Sequence, residues 1–243
     1  MRLLAFSDRN AKEILRDPLN GVFSLGFPVI LLMLMSAIGA RAPVSVFKIE
    51  SLAPGITVFG LSFMTLFSAT LIARDRETAL LQRLYTTPLT PADFILGYML
   101  PLLPVAAAQC AVCYIAAAVM GLAWSVNMLY GVLFIIPTSL FFIALGLLFG
   151  SVLNTRQVGG ICGALLTVLT AWFSGAWFDI SLIGGAFEKI AYMLPYIHAV
   201  ALQRAVLAGD FSGIFPHIWW IASYGAAALG AAVAVFLRQM RRQ

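Results

Sequence analysis

Charged side chains are scarce in this sequence of 243 residues. Lysine, arginine, aspartate and glutamate together make up 10% of the chain, whereas 62% of its residues are hydrophobic. Soluble domains carry roughly a quarter charged residues, and a soluble fold of this length could not bury so much apolar surface. The composition therefore excludes a soluble protein. It predicts an all-α polytopic membrane protein in contact with the lipid bilayer, because helices satisfy their own backbone hydrogen bonds in lipid.

Cysteine and histidine are also few, with three and two residues. Cys110 and Cys113 form a C-x-x-C in an apolar run, but there is no second pair and no nearby histidine. Small residues in helix packing explain them better than a metal or redox site. No H-E-x-x-H motif is present, and the closest approach to the Gly-x-Ser-Gly of rhomboid proteases is 172–175, Trp-Phe-Ser-Gly. We predict no catalytic residues and no metal site.

A phosphate-binding loop is absent as well. That motif ends in Gly-Lys-Ser or Gly-Lys-Thr, and the three lysines of the chain follow Ala11, Phe47 and Glu188. The net charge of +5 does not point to nucleic acid, because the basic residues flank hydrophobic segments and do not cluster with aromatics. The chain is expected to bind neither ATP nor nucleic acid.

Six long apolar stretches are present, and one helical crossing of a bilayer needs about 20 apolar residues. The best-marked start is that of the third, where Thr90, Pro91 and Asp93 supply an N-cap, a first-turn proline and an acidic residue that suits the helix dipole. Gly146 with Gly150 is a spacing typical of helix packing. The predicted spans cover about 18–39, 52–73, 91–121, 128–150, 158–178 and 216–237 in one transmembrane domain over 1–243.

Residues 1–17 read as an amphipathic helix that ends before Pro18. Such a helix lies on the membrane surface with its charged face in water. Its apolar face comprises Leu3, Leu4, Ala11, Ile14 and Leu15, and its charged face comprises Arg2, Arg9, Lys12 and Arg16.

The basic residues separate by side of the membrane. With the N-terminus inside, 11 of the 15 fall on the cytoplasmic side, and Arg41, Lys48, Lys189 and Arg204 fall outside. Because cytoplasmic loops carry the excess of lysine and arginine, both termini are predicted to be cytoplasmic.

The segment 179–215, between the fifth and sixth spans, is too long for a turn and too broken for a span. We predict outer re-entrant helices here, held by the interfacial aromatics Trp177, Tyr192 and Tyr196. An ordinary surface loop with amphipathic turns is the alternative.

The cytoplasmic loop between the second and third spans is the most informative segment. Leu80, Leu81 and Leu84 form one apolar stripe, and Pro88 ends the short helix. Such a helix could dock in the groove of a partner. Composition alone favours the alternative, a solvated loop whose charges set topology, because cytoplasmic loops are ordinarily basic.

The stretch 74–97, RDRETALLQRLYTTPLTPADFILG, resembles the hallmark of type-2 ATP-binding-cassette permeases. The later segment with Pro195, His198 and Arg204 resembles the outer motif that precedes the last span of that family. One departure is visible: the family often reads E-R-E-x-G-T where this chain reads R-D-R-E-T-A, so a glycine is missing near Thr78 and Ala79.

The resemblance implies a cytoplasmic coupling helix that contacts a separate ATPase subunit, which would hold ATP and magnesium. It also implies a second permease copy or a paralogue, a prokaryotic cell membrane, and export of lipids, drugs, polysaccharides or peptides. The residues that it assigns to coupling are Arg74, Glu77, Leu80, Leu81, Leu84, Thr87 and Pro88.

An ion-coupled carrier or channel is the alternative class. Such proteins keep ionisable residues near the bilayer midplane, and here Gln109 is the most polar side chain deep in a predicted span. An energy source outside the chain fits that absence better. The predicted translocation surface is apolar, which favours amphiphilic cargo, and consists of Phe59, Phe63, Phe67 and Trp172.

Overall fold

The computed structural model describes residues 2–41, 45–78 and 90–240. Within these ranges the regular structure is helical and contains no strand. The helices are α1 (Arg2–Arg16), α2 (Val22–Gly39), α3 (Ile49–Glu77), α4 (Ala92–Val119), α5 (Val126–Val152), α6 (Thr155–Phe173), α7 (Gly185–Met193), α8 (Pro195–Ala208) and α9 (Ile214–Met240).

Six of these helices, α2 to α6 and α9, are long and apolar enough to cross a membrane. The predicted all-α polytopic fold with six spans is therefore confirmed. The pair α7 and α8 bends by 73° at its junction, as a re-entrant loop or a broken span would, and counting it as a span would give seven. Where the bilayer lies along the helices stays a prediction.

The fifth predicted span differs most from its helix, since α6 runs from Thr155 to Phe173 and not from 158 to 178. Its early start follows from a capping box, in which Asn154 accepts from the backbone of Gln157 and Gln157 reaches back. Its early end follows from Gly175, whose φ of +67° is a left-handed conformation that a helix does not continue.

The helix α3 lies at the centre of the bundle, with 89% of its apolar window buried, against 17% for α2 and for α6. It packs along α5, where a side chain on Gly150 would lie 2.6 Å from the backbone oxygen of Ala69. Thr65 on α3 donates to the backbone oxygen of Phe142 on α5 at 2.8 Å. Small residues thus let the two backbones meet, as the Gly146 and Gly150 spacing predicts.

The two loosely packed helices each contain a π-helical turn, Val22–Gly26 in α2 and Gly159–Leu165 in α6. In α2 the turn directly precedes Pro28, which has no N–H to donate and whose ring crowds the carbonyl four residues back. A widened turn removes that clash, because π-bulges change the hydrogen-bond register.

The N-terminal helix α1 is docked on the bundle through a face that its sequence pattern did not indicate. Phe6, Asn10 and Ile14 are spaced four residues apart, and none is more than 6% exposed. Leu4 and Leu15, predicted on the same face as Ile14, are 67% and 78% exposed. One face of α1 therefore contacts protein, whereas Leu4 and Leu15 are exposed, as the lipid-facing side of a surface helix would be.

Candidate functional site

One end of the bundle, here called the α1 end, brings together α1, the end of α3 and the start of α4. Its centre is the carboxylate of Asp75, which is 2% exposed. Arg9 donates to its two oxygens at 2.6 and 2.7 Å, and the hydroxyl of Tyr98 donates at 2.8 Å. Burial lowers the pKa of Arg9, but its hydrogen bond to Asp75 and the charge of that carboxylate outweigh burial and raise the pKa above its ordinary value.

The neighbouring residues fix α1 on α4. Asn10 accepts from Arg9 at 2.8 Å and donates to the backbone oxygen of Gly97 at 3.0 Å. The ring of Phe6 meets the ring of Tyr98 edge-on, with centroids 5.0 Å apart. Gly97 permits this approach, because any side chain there would collide with the Phe6 ring. Polar and aromatic contacts together make α1 part of the bundle.

Two consecutive residues at the end of α3 hold the adjoining ends of α5 and α6. Arg76 donates to the backbone oxygen of Gly150 at 2.9 Å, near the end of α5. Glu77 accepts from the backbone N–H of Thr155 and from its hydroxyl, each at 2.9 Å, at the start of α6. A cation at a helix C-terminus and an anion at a helix N-terminus both complement the helix dipole.

The predicted coupling residues have different surroundings. Arg74 is exposed and lies 3.6 Å from Asp17, whereas the carboxylate of Glu77 is already engaged by Thr155. A polar cavity of about 670 Å³ opens beside Arg74. Its lining consists of Asp8, Arg9, Lys12, Glu13, Arg16, Asp17, Pro18 and Arg74.

The other predicted coupling residues, Leu80, Leu81, Leu84, Thr87 and Pro88, lie outside the described residues, as does Ala79. The chain reaches them through Thr78, whose φ of −83° needs no glycine and whose hydroxyl donates to the backbone oxygen of Arg74 at 2.9 Å. At Thr78, therefore, the glycine missing from the family pattern is not required.

The predicted translocation surface is only partly brought together. Phe59, Phe63 and Phe67 form a column on α3 in which no ring is more than 6% exposed. The ring of Phe63 lies 5.5 Å from that of Phe27 on α2, so the column is interior to this chain. Trp172, by contrast, lies on α6 and is 58% exposed. Phe59 and Phe63 are therefore covered by α2 and by the segment after α6.

At the opposite end, here called the distal end, the predicted outer residues lie on α8. Pro195 is its first residue, in the position where a missing N–H has no cost. His198 contacts the backbone oxygen of Tyr192 and the Nδ1 atom of His217, each at 3.0 Å. Arg204 donates to the backbone oxygens of Ser51 at 3.2 Å and Gly175 at 2.9 Å. The α7–α8 pair is thereby tied to α3 and α9.

Of the three aromatics expected at the interface, Tyr196 is buried inside the protein, Trp177 is half-buried and Tyr192 is exposed. The Trp177 ring lies 5.1 Å from the Phe59 ring, and Tyr196 is 6% exposed and lies 6.1 Å from the Phe141 ring. Tyr192 is 51% exposed, as an interfacial residue would be. Tyr196 is buried because the bend between α7 and α8 turns the start of α8 inward against α5.

Sequence reasoning missed Asp75, Tyr98 and Thr155, which carry the contacts at the α1 end. Asp75 stands among charges that pattern analysis assigns to a solvated loop, and nothing in sequence links it to Arg9. No group of three histidine, cysteine, aspartate or glutamate side chains that could hold a metal occurs in the described ranges.

The fold and this junction define a polytopic helical membrane protein in which the end of α3 is bonded to four other helices, α1, α4, α5 and α6. The family of ABC-2 type transporters matches residues 1–208, so the chain belongs to that family. None of the curated proteins matches the chain. The protein is thus a transmembrane permease of an ATP-binding-cassette transporter; permease domains of this family are membrane transport components that generally work with an ABC ATPase subunit.

Proposed function

We propose that this permease belongs to an exporter of amphiphilic, lipid-like, drug or peptide cargo and is driven by separate ATPase subunits that dock at the α1 end. The observation that carries the proposal is the set of contacts around the end of α3. Through Asp75, Arg76 and Glu77 this end is bonded to α1, α4, α5 and α6. The loop with the leucine stripe begins two residues after Glu77.

A force applied to that loop would reach several spans at once. Ionic and backbone hydrogen bonds transmit displacement where a flexible linker would absorb it, because coupling needs a continuous packed network. ATP and magnesium would be bound by the ATPase, and closure of two ATPases would shift the equilibrium between conformations of two paired permeases. The second permease would be a copy of this chain or a paralogue.

The location that fits is the cell membrane of a prokaryote, with both termini in the cytoplasm. The excess of 11 over 4 basic residues on the side of the termini supports that orientation. In that orientation the α1 end, with its polar cavity of about 670 Å³, would face the side where ATP is found.

The docking part is tested by copurification. The tagged chain is purified from native membranes, and Leu80→Asp and Leu84→Asp variants are compared with it; we expect both to lose the ATPase polypeptide. Leu182→Asp is the matched control, because Leu182 is 77% exposed and lies in the turn Ile180–Leu182 at the distal end. An ATPase that stays bound to both loop variants would contradict docking at this loop.

The energy source is tested separately in vesicles that contain the purified complex and a fluorescent phospholipid. We expect translocation of the lipid to require ATP and magnesium and to stop with a nonhydrolysable analogue. Translocation driven by an ion gradient without ATP would favour the carrier class instead.

A further inference from the structure

A second cavity, of about 490 Å³, lies at the distal end, away from the proposed ATPase contact. It is formed where the α7–α8 pair meets the starts of α3 and α9 and the segment after α6. Its volume falls in the range of small-molecule sites. The residues that line it include Arg204, His198 and His217, a carboxylate on Asp179, and an apolar wall of Phe178, Ile180 and Ile197.

Arg204 provides a positive charge in this cavity that lacks a close counter-charge. Its Nε and Nη2 atoms donate to backbone oxygens of Ser51 and Gly175, which orient the guanidinium without neutralising it. Throughout the described ranges it forms no ion pair within 4.0 Å. Buried cations are ordinarily paired with an anion. The guanidinium of Arg204 is therefore positioned to bind an anionic ligand.

Asp179 attracts Arg204 through its charge but forms no ion pair with it within 4.0 Å, so it fills that role only from a distance. Both the backbone N–H and the hydroxyl of Ser181 donate to its Oδ1 atom, at 3.0 and 2.8 Å, which hold the carboxylate in a local turn. These hydrogen bonds lower the pKa of Asp179, so it stays charged and would repel an anion at the cavity. Removing its charge should therefore strengthen anion binding.

The histidine pair supplies a second polar group. The backbone oxygen of Tyr192 can only accept, so Nε2 of His198 donates to it. In neutral His198 the Nδ1 atom then accepts from Nδ1 of His217. The Nε2 atom of His217 is the ring nitrogen of the pair that neither contact uses. Because Nδ1 of His217 donates, Nε2 of the neutral ring is an acceptor and can receive a hydrogen bond from a ligand hydroxyl without disturbing either contact.

We propose that this cavity binds the phosphate-bearing anionic headgroup of an amphiphile, with Arg204 as the counter-charge and the apolar wall against the first carbons of its tail. A free anion would need only the arginine, whereas the cavity adds apolar side chains and far more volume. The proposal rests on the proposed function for one point only, that the bound amphiphile is cargo.

The test uses the purified full-length chain in uncharged detergent and measures equilibrium binding of dihexanoyl phosphatidylglycerol. Dihexanoyl phosphatidylcholine and inorganic phosphate are the comparison ligands. We expect phosphatidylglycerol to bind more tightly than either. Arg204→Gln should weaken its binding by about tenfold, because a charge-assisted contact is lost. Asp179→Asn should strengthen it about two- to threefold, since asparagine keeps the local turn but not the charge.

Arg238→Gln is the matched control, since it removes an arginine at the α1 end of α9 and should leave binding unchanged. Wild-type affinity in Arg204→Gln, or no gain in Asp179→Asn, would overturn the proposal. Equal binding of phosphatidylcholine would overturn the charge requirement, and equal binding of inorganic phosphate would make the occupant a free anion and overturn the amphiphile.

If Arg204→Gln does not fold, as judged by gel filtration, the Asp179→Asn comparison alone decides. No ATPase is present in this assay, so a negative result would leave the docking proposal standing. Loss of docking in the copurification experiment would likewise leave the binding result intact.

Discussion

The guanidinium of Arg9 donates two hydrogen bonds, of 2.6 and 2.7 Å, to the buried carboxylate of Asp75, which lies 66 positions later in the sequence. Arg9 lies on a helix that precedes the first span, and Asp75 lies near the end of the second. Because the pair is bidentate, it fixes orientation as well as distance. The pair therefore fixes α1 to the end of α3, from which the chain continues into the proposed coupling loop.

Loss of the Asp75 charge should destabilise the protein. Asp75→Asn removes the buried counter-charge of Arg9 but leaves it the ion pair with Glu13 on α1, at 2.7 Å. We expect the free energy of unfolding to fall by about 1–3 kcal/mol, at the low end because Arg9 is 37% exposed, solvent screens it, and the Glu13 pair remains. Asp8→Asn is the control, since Asp8 is exposed and pairs only along α1 with Lys12. Thermal unfolding in detergent measures both, and equal shifts would show that the Asp75 pair adds nothing.

Close contact between α3 and α5 gives a sharper steric test. A Cβ at Gly150 would lie 2.6 Å from a backbone oxygen and 2.8 Å from the Cα of Ala69, so Gly150→Ala must push two helix backbones apart. We expect a loss of about 1–3 kcal/mol. At Gly159 nothing lies within 4 Å, so Gly159→Ala should be neutral or slightly stabilising. The two substitutions are chemically identical, and equal melting temperatures would refute the contact.

Hydropathy alone is enough to predict the number and type of the spans, because each crossing needs its own apolar stretch. The start of α4 can also be predicted from the sequence, since Thr90 and Asp93 form the expected capping box. Local signals of this kind depend on residues close in sequence. The docking face of α1 does not depend on residues close in sequence. It is determined by contacts of Phe6 and Asn10 with Tyr98 and Gly97 on another helix.

The candidate sites divide in the same way. Pro195, His198 and Arg204 are found on one helix because they are close in sequence, whereas the partner of His198, His217, comes from α9. The phenylalanine column follows from a four-residue spacing on α3, but spacing could not reveal that α2 covers it. Trp172 was grouped with it on residue type alone, and type carries no information about which helices meet.

Phe63 and Trp172 should therefore respond differently to truncation. Phe63 contacts the rings of Phe23, Phe27, Phe59 and Phe67, and Phe63→Ala should cost about 2–4 kcal/mol by leaving a cavity. Trp172→Ala should change the unfolding temperature little, because the side chain is 58% exposed. If Phe63→Ala keeps wild-type stability and alters only transport, the column is a cargo surface and not interior packing.

Substitutions at the contact between Glu77 and Thr155 can distinguish two roles for Glu77 in coupling. Glu77 either holds the start of α6 or contacts the ATPase directly. If Glu77 acts by holding the start of α6, then Glu77→Ala and Thr155→Val should both reduce the effect of the permease on ATP hydrolysis, by about three- to tenfold. Thr155→Val keeps the backbone N–H, so its effect should be the smaller, and the double variant should be no worse than Glu77→Ala because both remove one interaction.

The measurement is the ATP hydrolysis rate of the reconstituted complex relative to that of the ATPase alone, with Arg156→Gln as an exposed control on the same turn. A Thr155→Val complex with full coupling beside an uncoupled Glu77→Ala complex would mean that Glu77 contacts the ATPase directly. Loss of coupling in both variants would mean that the first step from the ATPase contact to the spans occurs inside the permease. That step would lie at the N-terminus of α6, where the carboxylate of Glu77 complements the helix dipole.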